Sequence, residues 1–102
     1  YRTSPAYVAA KAGVHALTRV MATELAAEGI TVNAVAPSAV LTERIRAVRD
    51  ERERAATART IPLGRYQEPA EVASWILFLA SGAADFVTGQ TISVNGGRHM
   101  AH

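Results

Sequence analysis

The sequence predicts an α/β protein built on a parallel sheet, and three observations carry that expectation. A long helical pattern over 5–28 stops at Gly29 and passes at once into a strand over 30–36. A helix that feeds a strand in this way is the second half of a βαβ unit. The strand is apolar enough to be covered on both faces, as strands of a parallel sheet are. A second helix over 69–80 and a short strand over 90–94 repeat the alternation.

The elements follow in order. Tyr1 to Thr3 form a short lead. Ser4 offers a capping hydroxyl, and Pro5 suits the first helical position. Val14, Leu17, Met21 and Leu25 recur at helical spacing and are expected to face the core. Ala9, Ala10, Ala12, Gly13 and Ala16 keep the helix slim, which suits either a close neighbour or simple helix propensity. Gly29 is the expected C-terminal stop. In the strand, Ile30, Val32, Ala34 and Ala36 alternate with Thr31, Asn33 and Val35. Pro37-Ser38-Ala39-Val40-Leu41-Thr42 lies beyond its carboxyl end, where open parallel sheets bind ligands. Thr42 is equally a good N-cap for a helix over the next residues.

Residues 42–60 are dense in charge, with Arg44, Arg46, Arg49, Arg52, Arg54 and Arg59 against Glu43, Asp50, Glu51 and Glu53. Ile45, Val48, Ala55 and Ala56 make only a thin apolar stripe. Mixed signs at close spacing predict a solvated helix with internal ion pairs. A turn-rich connector over 61–68 then enters the last helix, with Pro69 in its first turn and Glu71 near its positive end. Val72, Trp75, Ile76 and Leu79 form one apolar face, and Leu77 and Phe78 lie off it. Such a helix is expected to be buried on more than one side, with a subunit contact as one cover. Ser81-Gly82 ends it. Thr88-Gly89 turns into the strand 90–94, with Ile92 and Val94 on one face, and Asn95-Gly96-Gly97 closes the pattern. His15 reads as structural or exposed rather than catalytic. His99 and His102 have no third ligand and read as tail, so no metal site is expected.

The chain's 102 residues allow one modest domain, 1–102, with no second domain, repeat or low-complexity linker. With 49% hydrophobic and 20% charged residues, the balance is that of a globular protein. A net charge of +2 is too small to argue for nucleic acid or an anionic membrane. There is no cysteine, hence no disulfide framework or thiolate metal site. No run approaches the ~18 apolar residues of a membrane span, and a cytoplasmic location is expected. The start at Tyr1, close to a motif of catalytic character, suggests a fragment.

That motif is Tyr7-Val8-Ala9-Ala10-Lys11. Residues four apart share a helix face, so a phenol projects beside an ammonium. A free tyrosine titrates near pKa ~10, and a positive charge within a few Å favours the phenolate. Such a pair suits an oxygen that must gain or lose a proton while carbon gains or loses hydride. Lys11 is the only lysine beside ten arginines. A compact point charge is thus kept where a planar fork would not substitute.

Tyr7-Val8-Ala9-Ala10-Lys11-Ala12-Gly13, Leu17-Thr18-Arg19, Glu24-Leu25-Ala26 and Gly29-Ile30-Thr31-Val32-Asn33-Ala34-Val35-Ala36-Pro37 occur in an order that resembles the C-terminal half of the short-chain dehydrogenase/reductase family. Its 3-oxoacyl-carrier-protein reductases are the members most resembled, and the likeness runs from about Tyr7 to Gly97. The resemblance implies the C-terminal part of a Rossmann-like doubly wound parallel sheet, with two strands, three helices and the N-terminal dinucleotide-binding half absent. It implies hydride exchange between NAD(P) and a small carbonyl or alcohol substrate. Tyr7 would pass the proton, and Lys11 would favour its ionised form and bind the nicotinamide ribose. Pro37, Ser38, Val40 and Thr42 would position the nicotinamide, with Ser38 standing where the family usually has glycine. Residues 42–60 would be the flap that closes over substrate, and Asn95 stands where the family often has Asp.

The family's glycine-rich dinucleotide loop, its helix Asn and its catalytic Ser have no counterpart in these residues. Ser4 is too close to Tyr7 to take the serine's place. The isolated chain is therefore expected to be inactive. Two other readings compete. One is a noncatalytic, self-associating piece, since a homo-oligomer is expected and this half carries the family's subunit-contact helices. The other is nucleic-acid binding through the arginines of 44–59, which the interleaved acids and missing aromatics disfavour.

Overall fold

Helix, strand, paired helices, helix and strand follow one another in the computed structural model, which describes residues 4–100. Helix α1 covers Pro5–Leu25 and continues as a 3-10 turn over Ala26–Glu28. Strand β1 is Ala34–Pro37, α2 is Glu43–Val48, α3 is Glu51–Ala58, α4 is Pro69–Leu79 and β2 is Thr91–Val94. β1 and β2 pair in a two-stranded parallel sheet. The result is an α/β arrangement in keeping with part of a Rossmann-like fold. Tyr1 to Thr3 and His102, read above as lead and tail, lie outside the described residues.

The chain divides into two units, one of residues 1–34 and 79–92, the other of 35–78 and 93–102. In the first, Ser4 caps α1 by accepting the Tyr7 N–H at 3.1 Å. Gly29 stops the helix in a left-handed conformation, φ 74°, where its N–H donates to the Ala26 carbonyl. The strand expected over 30–36 begins four residues late, at Ala34. Its partner sets this limit: β2 starts only at Thr91, and Ala34 N–H already donates to the Gln90 carbonyl. Residues 32–33 pair instead with the turn before β2. Val32 N–H donates to Thr88 Oγ1 at 3.0 Å, and Gly89 N–H donates to the Val32 carbonyl at 2.8 Å. Asn33 spans the same turn, donating from Nδ2 to the Val87 carbonyl and accepting the Gln90 N–H at Oδ1.

The core face expected on α1 is a correction. Among the described residues, Thr18 and Ala22 are the buried ones, and the Thr18 hydroxyl is satisfied by the Val14 carbonyl at 2.8 Å. Val14, Leu17 and Met21 stay exposed, and Leu25 is half-buried. Spacing identified a stripe, but the described residues of this unit leave Val14, Leu17 and Met21 uncovered.

In the second unit, the charged stretch is two helices rather than one, so among the described residues four α-helices stand where three were expected. Arg49 turns extended, and Asp50 starts α3 with a capping box in which Asp50 and Glu53 each accept the other's N–H. The internal ion pairs expected here are also corrected. Arg54 donates instead to the carbonyls of Arg46 and Arg49 at the end of α2, and Arg46 reaches Glu68 at 4.0 Å. Ile61 is buried, and Leu63 N–H donates to the Gly96 carbonyl. Helix α4 has no buried residue, and Trp75, Ile76, Leu77 and Phe78 are exposed, against the expected double burial. Trp75 and Phe78 pack edge to face, 5.9 Å between centroids.

Candidate active site

In the first unit the site is the opening of α1. The Ser4 cap and Pro5 place Tyr7 at the end of the first helical turn, with its N–H occupied by Ser4 Oγ. Lys11 follows one turn later, and its Nζ lies 5.6 Å from the centre of the Tyr7 ring. The expected juxtaposition of phenol and ammonium is present, and Tyr7 is 51% exposed, open to a reacting group. A further turn along, His15 Nδ1 and Thr91 Oγ1 lie 3.1 Å apart, so His15 ties α1 to the start of β2. Read above as structural or exposed, it is half-buried with this partner.

In the second unit the site is the loop after β1, from Pro37 to Thr42. Ser38, Ala39, Val40 and Leu41 are half-buried. No non-glycine residue described has a positive φ, so Ser38, expected above to stand at a family glycine, carries no left-handed strain. Thr42 Oγ1 accepts the Ile45 N–H at 3.2 Å, so it is the N-cap of α2, as its local sequence also allowed.

Gln67 holds this loop, and the sequence reading missed it. Val40 and Gln67 form a parallel bridge in which Gln67 N–H donates to the Ala39 carbonyl at 3.0 Å and its carbonyl accepts the Leu41 N–H at 2.8 Å. That pattern turns the N–H and C=O of Val40 away from Gln67. The Gln67 side chain donates from Nε2 to the Val94 carbonyl at 2.8 Å, where β2 ends. Nothing local in the sequence signals these bonds, which join segments 27 residues apart.

Beside Gln67, Arg65 grips Glu71 through both carboxylate oxygens, at 2.7 and 2.9 Å, and Glu71 also accepts the Glu68 N–H. The Arg65 hydrogen bonds, then the backbone donor, hold the Glu71 carboxyl down to about 2. The pair fixes the entry to α4. Among the described residues no three His, Cys, Asp or Glu side chains are placed to share a metal ion. No described helix is long and apolar enough to cross a membrane.

Comparison with known proteins decides the family. The model of the family described as enoyl-(acyl carrier protein) reductase matches residues 1–99. The chain belongs to the short-chain dehydrogenase/reductase family. Among the relatives of this family member, the 3-oxoacyl-(acyl-carrier-protein) reductase FabG of Vibrio harveyi is 49% identical over 94 residues, covering 92% of this chain and 38% of the relative. The acetoacetyl-CoA reductase of Rhizobium meliloti is 50% identical over 95 residues, 93% of this chain and 39% of its own length. FabG of Staphylococcus aureus (strain Mu50) is 50% identical over 95 residues, 92% and 38%. The short-chain dehydrogenase/reductase chain described here thus spans less than two fifths of the length of these relatives.

Proposed function

We propose that these residues form the proton-transfer and nicotinamide end of an NAD(P)-dependent oxidoreductase that interconverts a carbonyl and an alcohol. The observation that carries the reading is the Tyr7–Lys11 pair, with the ammonium 5.6 Å from the ring centre on the first turns of α1. In reduction, the Tyr7 hydroxyl gives its proton to the substrate oxygen as the carbonyl carbon becomes an alcohol carbon. In oxidation it takes the proton back. The Lys11 ammonium, one helical turn from Tyr7, hydrogen-bonds the ribose. Pro37, Ser38, Val40 and Thr42 orient the nicotinamide, and the N–H of Val40, turned away from Gln67, suits the oxygen of its carboxamide. The bound dinucleotide supplies or accepts the hydride.

The relatives' names support a 3-oxoacyl thioester as the substrate. Residues for the pyrophosphate and adenosine are not among these 102, so the chain alone is expected to bind NAD(P) weakly or not at all and to be inactive. The test uses a protein of the relatives' length that carries this stretch. Tyr7→Phe should abolish nearly all reduction of an acetoacetyl thioester while dinucleotide affinity holds, and Lys11→Met should damage both. Substantial turnover by Tyr7→Phe would overturn the assignment.

A second reading, a noncatalytic piece that associates with copies of itself, is favoured by the bare stripe of α1 and by exposed Trp75, Ile76, Leu77 and Phe78 on α4. Exposed apolar area of that kind is ordinarily covered by association, and a homo-oligomer fits the parent enzyme equally. Sedimentation at micromolar concentration separates a monomer from either.

A further inference from the structure

We infer that Gln67 is a positioning residue for the loop 38–42, and so for the nicotinamide end of the cofactor that this loop holds in the function proposed above, on which the inference rests. One residue here ties three segments together. Its backbone brackets Val40 with two hydrogen bonds, of 3.0 and 2.8 Å, and its side chain donates to the Val94 carbonyl at 2.8 Å. The loop is thereby referred to the end of β2, and the height of Val40 follows from how far Gln67 is drawn towards Val94. Beyond the bridge, the Thr42 N–H donates to the Val40 carbonyl at 3.0 Å within the loop, and the Thr42 carbonyl accepts the Arg46 N–H at 3.0 Å where α2 begins, so the bridge to Gln67 is what holds the middle of the loop.

The head group itself indicates this task. Gln67 Oε1 is buried with no hydrogen-bond partner, while Nε2 is satisfied by Val94. The opposite orientation of the amide would set two oxygens against each other at Val94, so the orphaned acceptor cannot be relieved by a flip. A buried acceptor without a donor is destabilising. In stability the Nε2 bond and the unpartnered Oε1 oppose each other, and what the side chain adds in geometry is placement of the loop against the end of β2.

Gln67→Met separates placement from stability. It keeps the length of the side chain and removes the donor together with the orphaned acceptor, so losses and gains largely offset in the unfolding midpoint. Without the tie to Val94, the loop should open more often. Hydrogen exchange at the Leu41 amide is expected to rise about tenfold, and the dinucleotide KM of the full-length enzyme by a similar factor, with kcat little changed. Amides of α3, such as Arg54, should not respond. Gln67→Ala should give the same exchange pattern if the Met variant folds poorly. An unchanged Leu41 exchange rate, or a lowered midpoint with unchanged KM, would overturn the inference. Faster exchange with unchanged KM would overturn the positioning role. Tyr7→Phe measured alongside keeps the two failures apart, since lost turnover there leaves the proposed function standing.

Discussion

Adding one methyl group at Gly96 should do more damage than at any other turn in the second unit. Its φ is +62°, and a Cβ on its backbone would lie 2.8 Å from Ile61 Cγ2 and 3.5 Å from Leu63 Cβ. Ile61 is only 5% exposed, and its branched side chain has little freedom to yield. Two costs combine. The left-handed backbone costs a non-glycine residue ~1–2 kcal/mol, and forcing a methyl into a filled contact costs about 1–3 kcal/mol. Gly96→Ala is therefore expected to destabilise by about 2–5 kcal/mol. Gly29→Ala is the internal control: φ is +74° there too, but nothing lies within 4 Å of the added Cβ. The first cost alone applies, ~1–2 kcal/mol. Urea unfolding at one protein concentration, followed by circular dichroism, reads both variants against the parent. Equal midpoint shifts would refute the packing argument, because Ile61 would then have yielded freely. No shift at either position would refute the left-handed assignment itself.

Three further outcomes are expected. Asn33→Ala removes the bonds to Val87 and Gln90 and should cost about 2 kcal/mol; exchange at the Gln90 amide should rise, and an unchanged rate would count against the bracket. Glu71 has its folded pKa lowered from 4.5 to about 2, so its contribution is full above the unfolded value and is lost as pH falls through the folded one. Glu71→Gln should flatten that part of the acid-unfolding profile. Since Arg65 and Glu71 are 58% and 42% exposed, added salt should shrink the difference. Leu17→Asp tests the bare stripe of α1. If Leu17 stays in water, the change is worth within about 0.5 kcal/mol. If association covers it, an unpaired carboxylate is buried and the assembly should dissociate and unfold in one step, which sedimentation would show.

What could be read from the sequence was whatever a few neighbouring residues decide. Ser4 and Thr42 cap their helices and Gly29 stops α1, because each acts on backbone groups within four residues of itself. Asp50 and Glu53 carry the same kind of signal, three residues apart, and mark the break between α2 and α3 that a reading by charge alone passes over. The Tyr7–Lys11 contact belongs to this class as well, since helical geometry alone brings the two together. Strand length does not. Ile30 to Asn33 have the same alternation as the rest of their segment, yet the sheet begins at Ala34, because a strand is as long as its partner permits.

The apolar stripes show the limit from another side. Period locates Val14, Leu17 and Met21 on one face of α1, but burial depends on what packs there, and within the described residues it is Thr18 and Ala22 that are covered. Gln67 is harder still to see. In the sequence it is one polar residue in a turn-rich connector, with nothing to set it apart from Glu68. Its importance comes from meeting Val40 through the backbone and Val94 through the side chain, partners separated in the chain by α2, α3 and α4. If residues of this kind set the loop, then chains that share the Tyr7–Lys11 motif and the Pro37 to Thr42 segment can still differ in how they hold the nicotinamide. Exchanging Gln67 alone should then move cofactor affinity while the Tyr7–Lys11 pair proposed for proton transfer stays unaltered. That separation is physically reasonable, because the pair is set by one helix and the loop by contacts distant in sequence.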